Sequence, residues 1–452
     1  MRRGLILSTV GAALLLAAVL PVSATAGTRP TVDRDRSAKA QDSIPAIDLR
    51  VGLGRLLGEH AFLLMETMGA NDAERRAYEE AIAENSGALQ DAIATVYGDD
   101  AGARVRDLWD LHITLLLEYG DAAQSGDTGA MQAARDGLRQ YMTDLGELLH
   151  ELNPALDARQ EARALQAHID QITAFADGDY ADAYASHRIA FSHMFQLGDH
   201  LALEIVRQHP AKFPDGPHAF SPRSDLQLAL DHLLGEHLVL AAEAMRAGVR
   251  QSPAFEAARE SLDQNSGDLA GAIADVYGPD AGLRFEEVWK EHVDAYLAFV
   301  QALGSNDDAE REESLARLHD YHDQIAQLLT AVNPLLDGVA VADLIRRHVQ
   351  ALITQAEATA ADDPARAIAA TRDGYDGTFE VGEALAEAIA RQFPNRFRDL
   401  EDLPPTDSAG PVPKWASPSV WLVATLFVLI WVWIVLTGPT LRKESPDSRS
   451  AR

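Results

Sequence analysis

Three histidines in the first half of the chain lie on stripes of apolar residues. His60 follows leucines at the i, i+3, i+4 and i+7 spacing that is typical of the core-facing side of a helix. His112 and His168 hold similar positions on two later helical segments. Burying an imidazole costs free energy unless its nitrogens find partners. Because the helices of a bundle can bring distant residues together, the pattern predicts that the three imidazoles converge on a transition-metal ion.

The same pattern returns in the second half of the chain, which therefore contains a tandem duplication. The matched motifs are Leu56–His60 with Leu233–His237, Asn85–Gly87 with Asn265–Gly267, Val96–Gly98 with Val276–Gly278, Trp109–His112 with Trp289–His292, and Leu152–Pro154 with Val332–Pro334. Much of the remaining sequence differs between the copies, but the second copy keeps all three histidines as His237, His292 and His348. Retention inside one chain indicates that these positions are constrained.

One methionine in each repeat joins the candidate ligands, since a thioether suits Cu(I). The predicted ligand set is His60, Met68, His112 and His168 in the first repeat, and His237, Met245, His292 and His348 in the second. Neutral imidazole is a common ligand for zinc, copper and iron, and with the thioether the set predicts copper first and zinc second.

Two other partners for the histidines stay open at this point. The first is a hydrogen-bonding network with Glu59 and Tyr97, with Glu236 and Tyr277, or with a backbone carbonyl, which makes the histidines structural. The protein is then a structural or sensory interaction module of the cell envelope that uses its acidic faces to bind a protein partner. The second is a haem with an axial histidine.

The last helix of each repeat distinguishes the two copies. Aligning Phe213 with Phe397 matches Arg188 with Arg372. The residues that the second copy then loses are His187, His193 and Met194, which become Thr371, Gly377 and Thr378. The first site therefore has the richer choice of ligands, although the pattern favours an ordinary surface position for His193.

Composition limits the possible functions. The net charge of −30 excludes a basic face for nucleic acid, and the absence of cysteine excludes disulfides and thiolate sites. The chain has no H-E-x-x-H, G-x-S-x-G, P-loop or dinucleotide-binding motif, so nothing in it predicts an enzyme. Abundant alanine and leucine with few aromatic residues predict an all-α fold of tandem helical bundles, six helices in each.

The chain ends predict export and a single membrane anchor. An Arg-Arg pair, an apolar stretch and an Ala-x-Ala site form a signal peptide. The apolar run from Ser419 to Leu436, followed by Arg442 and Lys443, predicts a C-terminal transmembrane helix with type I topology at the cell membrane and the bulk of the chain outside. The predicted segments are signal peptide 1–26, flexible lead-in 27–43, repeat 44–213, linker 214–223, repeat 224–398, stalk 399–414, transmembrane helix 415–438 and cytoplasmic tail 439–452.

The repeated motifs also resemble a family. Leu-Leu-Gly-Glu-His, Val-Tyr-Gly, Trp-x-x-His and the Asp-Tyr-Ala-x-Ala-Tyr of Asp179–Tyr184 are similar to those of uncharacterised secreted helical repeat proteins of bacteria. Some of these are loosely associated by label with the N-terminal-like domain of copper amine oxidases. The resemblance implies an exported helical bundle and a link to copper. It implies no catalytic residue, and the second copy lacks the Asp-Tyr-Ala motif.

Overall fold

A computed structural model describes residues 45–397, and every regular element in that range is a helix. The first repeat contains α1 (Ala46–Gly69), α2 (Asp72–Tyr97), α3 (Asp99–Ser125), α4 (Thr128–Leu152), α5 (Ala158–Asp177) and α6 (Tyr180–Gln208). A single turn, α7 (Gly216–Ala219), lies in the linker. The second repeat contains α8 (Pro222–Val249), α9 (Phe255–Tyr277), α10 (Pro279–Ser305), α11 (Asp308–Val332), α12 (Gly338–Ala360) and α13 (Pro364–Gln392). The predicted all-α fold with six helices in each repeat is confirmed.

The Val-Tyr-Gly motif makes the sharp turn between the second and third helices of each repeat. Gly98 and Gly278 have φ angles of 91° and 92°, which residues with a Cβ rarely adopt. Each glycine N–H bonds back to the preceding helix, and the next helix begins at once. The tyrosine hydroxyls of Tyr97 and Tyr277 donate to Gln208 and Gln392, at 2.6 and 2.9 Å. The motif therefore ties the end of the second helix to the end of the last.

The first helix of each repeat is its central element. Every residue of α1 from Leu56 to Met68 is buried, and so is every residue of α8 from Leu234 to Met245. Helices α2, α3, α5 and α6 pack around α1, and their counterparts pack around α8. A helix that is enclosed on all sides has no solvent-exposed face, so its polar residues need hydrogen-bond or ion-pair partners inside the protein. The sequence predicted only an apolar stripe for this helix.

The two repeats share one core and form one compact unit. The glycine of the Leu-Leu-Gly-Glu-His motif makes their close approach possible. A Cβ on Gly58 would lie 2.8 Å from the Tyr375 hydroxyl of the other repeat, and one on Gly235 would lie 3.0 Å from the same ring. Phe191 of the first repeat packs edge-on against Tyr375, with 6.3 Å between the ring centres. A side chain at either glycine would push this aromatic contact apart.

The glutamate of the same motif forms ion pairs that cross between the repeats. Arg188 of α6 donates to both carboxylate oxygens of Glu236 at 3.0 Å. Arg372 of α13 donates to Glu59 at 2.7 Å, and Asn85 adds a second hydrogen bond at 2.8 Å. The two pairs are reciprocal, which relates the repeats by an approximate twofold symmetry and confirms the alignment of Arg188 with Arg372.

We expect Arg372→Ala to destabilise the protein by about 2–4 kcal/mol, since it leaves the buried Glu59 carboxylate without its cation. Urea unfolding followed by circular dichroism measures the change. Arg346→Ala is the matched control, because its partner Asp343 is exposed and such pairs contribute about 0–1 kcal/mol. Equal costs for the two substitutions would contradict the role of the ion pair between the repeats.

The linker is packed against the start of the first helix. The Ala46 N–H donates to the Asp215 carboxylate, with N···O distances of 3.0 and 3.1 Å. Arg50 donates to the Ala219 carbonyl at 2.8 Å and pairs with Asp199 at 2.6 Å. These contacts satisfy free N–H groups at the beginning of α1 and hold the chain where it passes from one repeat to the next.

Across residues 45–397, no helix has the length and apolarity that a membrane crossing requires. The predicted signal peptide, lead-in, stalk, transmembrane helix and tail lie outside the described residues, so they stay predictions from sequence.

Candidate metal centres

Helices α1, α3 and α5 each bring one histidine to a common point in the first repeat. His60, His112 and His168 each offer a ring nitrogen, and these nitrogens lie within 4.8 Å of one another. The Nε2 atoms of His60 and His112 are 3.1 Å apart. The ring centre of His168 lies 6.0 Å from that of His60. The structure thus brings the three predicted histidines together as triad 1.

Helices α8, α10 and α12 repeat the arrangement in the second half. Ring nitrogens of His237, His292 and His348 again lie within 4.8 Å of one another. The ring centres are 5.4 Å apart for His237 and His292, and 5.6 Å apart for His237 and His348. We call this set triad 2. The duplication therefore preserves the position of each histidine in space as well as in sequence.

The triads are buried, and most of their nitrogens have no hydrogen-bond partner among the described residues. In triad 1 the side chains are 0–2% exposed, and both nitrogens of His168 and the Nδ1 atom of His60 are unpaired. In triad 2 both nitrogens of His237 and Nε2 of His348 are unpaired. His112 and His292 differ from the others, because each also interacts with the backbone of the tryptophan three residues before it, Trp109 or Trp289. An unsatisfied buried polar group costs about 1–3 kcal/mol. Two repeated clusters of such groups are therefore candidate ligand sites.

Burial keeps the six imidazoles neutral at physiological pH. It is the main cause that lowers the pKa of His112 and His292 to about 3 and that of His348 to about 4, with neighbouring imidazoles adding to the effect at the first two. Burial also lowers the pKa of His60, His168 and His237 well below the ordinary value. Neutral imidazole is the form that coordinates a metal, so no deprotonation is needed on binding.

Aromatic rings enclose each triad on one side. Trp109 lies 4.6 Å from both His60 and His112, and Tyr141 of α4 stacks on His112 at 4.7 Å with 14° between the planes. In the second repeat, Trp289 and Tyr321 take the same places, and Tyr321 stacks on His292 at 4.3 Å. The sequence reasoning missed both tyrosines. Their identical place in the two repeats was the signal that could have found them.

The distance of 3.1 Å between His60 and His112 matches two nitrogens bound to one ion. With Zn–N bonds of about 2.0–2.1 Å, it corresponds to an N–metal–N angle of roughly 100°, near the tetrahedral value. It also matches a hydrogen bond between two neutral rings. That hydrogen bond would leave both nitrogens of His168 unpaired, whereas an ion coordinated by all three imidazoles gives each ring a partner at one nitrogen.

The two predicted methionine ligands lie away from the triads. Met68 is eight residues beyond His60, which corresponds to about 12 Å along the helix axis. It packs against Gly120 of α3, and Met245 lines a cavity beside Tyr78 and Arg246. The sites argued below therefore use the three imidazoles alone, and thioether ligation stays a prediction from sequence.

The four side chains considered as hydrogen-bond partners for a purely structural role bind other residues, whereas backbone groups of Trp109 and Trp289 do interact with His112 and His292. Glu59 accepts from Asn85 and Arg372, and Glu236 accepts in the same way from Asn265 and Arg188. The Tyr97 and Tyr277 hydroxyls donate to glutamines, as described above. Among the described residues, none of these four groups forms a hydrogen bond with a triad histidine.

The additional candidates on α6 do not join triad 1. His187 lies between the repeats, with its Nδ1 atom 2.5 Å from Glu243. Burial alone would lower the pKa of His187, but the Glu243 and Glu66 carboxylates outweigh it and raise the pKa. Burial also raises the pKa of Glu66 to about 7, beside the Arg246 guanidinium. Met194 is buried in the core. This asymmetric network of ionisable groups was not foreseen from the sequence.

His193 is not the ordinary surface residue that the pattern favoured. It is half-buried, and its Nε2–H donates to the Ala164 carbonyl at 2.9 Å. In an α-helix this carbonyl receives the N–H of His168, so His193 lies over the turn that carries a triad residue. Gly377 occupies the equivalent place in the second repeat.

Comparison of the chain with protein-family models, curated proteins and solved structures finds no match. The resemblance to secreted bacterial repeat proteins stays a prediction from the motifs, and the argument for function rests on the triads themselves.

Proposed function

We propose that this protein is a binding protein that holds one transition-metal ion in each repeat, with copper as the first choice and zinc as the second. The observation that carries the proposal is the duplication of a buried cluster of three neutral imidazoles whose nitrogens converge and mostly lack other partners. Three nitrogen ligands suit both metals. A haem fits less well, because nitrogens 3.1 Å apart lie too close together to bind opposite faces of its iron.

Binding is a better proposal than catalysis for these sites. Triad 1 is closed to solvent by its burial. The carboxylates next to the triads in sequence, Glu59 beside His60 and Glu236 beside His237, are paired with arginines of the other repeat. The signal peptide and the C-terminal apolar segment support a place outside the cytoplasmic membrane with one anchor, and such a protein stores, delivers or senses metal at the cell surface.

The test is the metal content of the full-length protein in mild detergent. The chain is exposed to Cu(I) or Zn(II), desalted thoroughly and analysed by mass spectrometry of the metal. We expect two equivalents per chain. A triple variant of either triad, such as His60→Leu with His112→Leu and His168→Leu, loses one equivalent, and the combined sextuple variant loses both.

The matched control is His200→Leu with His322→Leu, two histidines outside the triads that bond to Glu161 and Asp323. It should retain two equivalents. A correctly folded wild-type protein that retains neither metal would refute the proposal, as would a loss of metal that does not depend on the triads.

A further inference from the structure

The two triads differ in their access to solvent. His348 lines an open groove of about 500 Å³ between α12 and α13, is 8% exposed, and has an Nε2 atom without a hydrogen-bond partner among the described residues. Its counterpart His168 is 2% exposed and does not line the corresponding groove of the first repeat. Of these two triad histidines, His348 lines its groove and His168 does not.

One difference between the repeats accounts for this access. In the first repeat His193 lies over the turn of α5 that ends at His168, where its ring donates to the Ala164 carbonyl at 2.9 Å. In the second repeat Gly377 stands at the equivalent position and lines the groove. A Cβ on Gly377 would meet no atom within 4 Å. The space that the His193 ring occupies in one repeat is open in the other.

The groove of the second repeat also carries a strip of carboxylates. Asp373, Asp376 and Glu380 line it and, at the i, i+3, i+7 spacing, share one face of α13. The residues at the same positions on α6 are uncharged: Ile189, Ser192 and Gln196. Two of the carboxylates have cationic neighbours, Arg55 at 2.5 Å from Asp376 and Arg347 at 2.6 Å from Glu380. These pairs are exposed to water and weak, so the strip remains available to an approaching cation.

We propose that this groove is the route by which a metal cation reaches triad 2, and that triad 2 exchanges its ion faster than triad 1. The carboxylates raise the local concentration of the cation, and His348 is the first imidazole it meets. His193 closes the equivalent route to triad 1, which therefore releases its ion slowly. This inference rests on the proposed function and adds a division of roles: a retaining site in the first repeat and an exchanging site in the second.

The experiment follows the transfer of zinc from the loaded full-length protein to an excess of a coloured chelator. We expect two phases of equal amplitude. The fast phase disappears in the variant with His237→Leu, His292→Leu and His348→Leu, and the slow phase disappears in the corresponding triad 1 variant. Zinc is used because it has no redox chemistry that would complicate the rates.

Substitutions in the groove test whether access through it causes the difference in exchange rate between the two triads. We expect Gly377→His and Gly377→Leu to slow the fast phase by roughly tenfold or more, because the ion then leaves only when the helices open locally. The leucine separates steric closure from any new metal ligand. His193→Ala should accelerate the slow phase by a similar factor.

Combining Asp373→Asn, Asp376→Asn and Glu380→Gln should slow zinc loading of triad 2 by roughly tenfold at low salt.

Three results would overturn the inference while the proposed function stands. They are a fast phase that belongs to triad 1, a fast phase that Gly377→Leu leaves unchanged, and a loading rate that does not respond to removal of the three carboxylates. Failure of the proposed function is a different result, namely that the wild-type protein retains no zinc from which to measure exchange.

Discussion

Below pH 6.5 the metal-free protein should lose stability steeply. Each triad imidazole has a lowered pKa in the folded state, so the unfolded chain binds six protons that the folded chain does not. A histidine of this kind contributes stability that is fully present above its unfolded pKa of about 6.5 and is lost as the pH falls below it. Each contributes a slope of about 1.4 kcal/mol per pH unit.

Two buried carboxyl groups act in the opposite direction. Burial raises the pKa of Glu66 to about 7 and that of Asp231 well above its ordinary value, so the folded chain keeps these two protons when the unfolded chain has released them. Over these eight groups the difference is six minus two, or four protons, and burial of His193 and His232, which also lowers their pKa, adds to it in the same direction. We expect a net slope of about 5 kcal/mol per pH unit between pH 6 and 5, which approaches the whole stability of a typical domain.

The measurement is urea unfolding in the presence of EDTA at pH values from 7.5 to 4.5. Replacing the three histidines of triad 1 by leucine should remove three of the protons and reduce the slope by about 4 kcal/mol per pH unit. A protein that is equally stable at pH 7 and pH 5, or a slope that the leucine variant does not change, would show that the imidazoles are solvated rather than buried.

The features that follow from helical periodicity could be predicted from sequence. The 3.6-residue repeat of apolar positions places His60 on the inner side of α1, and the duplication shows that His237 has the same position. Periodicity shows which side of a helix faces the core. It therefore also predicts the triads, because each of three helices supplies one inward-facing histidine.

The features that depend on contacts between distant helices could not be predicted in this way. Arg372 and Glu59 are 313 residues apart, and nothing in either local pattern specifies their pairing. Tyr141 lies on an ordinary apolar stripe, and only the packing of α4 against α3 places its ring on His112. The shared core has the same cause, since Gly58 and Gly235 are permissive residues whose role depends on the aromatic rings of the opposite repeat.

The duplicated five-residue motif contains both kinds of feature, those that follow from periodicity and those that depend on contacts between distant helices. In Leu56–His60 the leucines fill the core, Gly58 admits Tyr375 of the other repeat, Glu59 binds Arg372, and His60 belongs to the triad. The metal site and the contact between the repeats are therefore adjacent on one buried helix. An ion held as proposed at His60 would therefore act on the same turn that holds the two repeats together.

Replacing triad 1 by leucines should change stability in opposite directions with and without metal. Without metal, His60→Leu, His112→Leu and His168→Leu remove at least three unpaired buried nitrogens and substitute apolar side chains of similar volume. Each unpaired polar group costs about 1–3 kcal/mol, and each change of shape costs up to about 1.5 kcal/mol. We expect a net gain of about 2 kcal/mol or more at pH 7.

With saturating metal the wild-type protein should be more stable than the leucine variant. A ligand at 1,000 times its dissociation constant stabilises the folded state by about 4 kcal/mol for each site, and the variant forgoes one of the two contributions. Urea unfolding of wild type and variant, in EDTA and in excess zinc, gives the four free energies that are needed. The equivalent leucine variant of triad 2 is the matched control and should behave in the same way.

The sign of the change in unfolding free energy in EDTA distinguishes the two interpretations of the histidines, as metal ligands or as structural residues. If they were structural, held by hydrogen bonds within an interaction module, their loss would destabilise the protein with or without metal, as removal of a satisfied buried network does. If they are metal ligands, the burial of their unpaired nitrogens destabilises the metal-free protein. Substitution by leucine then removes this destabilisation. Stability that falls equally in both conditions would therefore reject the metal centres, and a reversal of sign is the result that only metal ligation predicts.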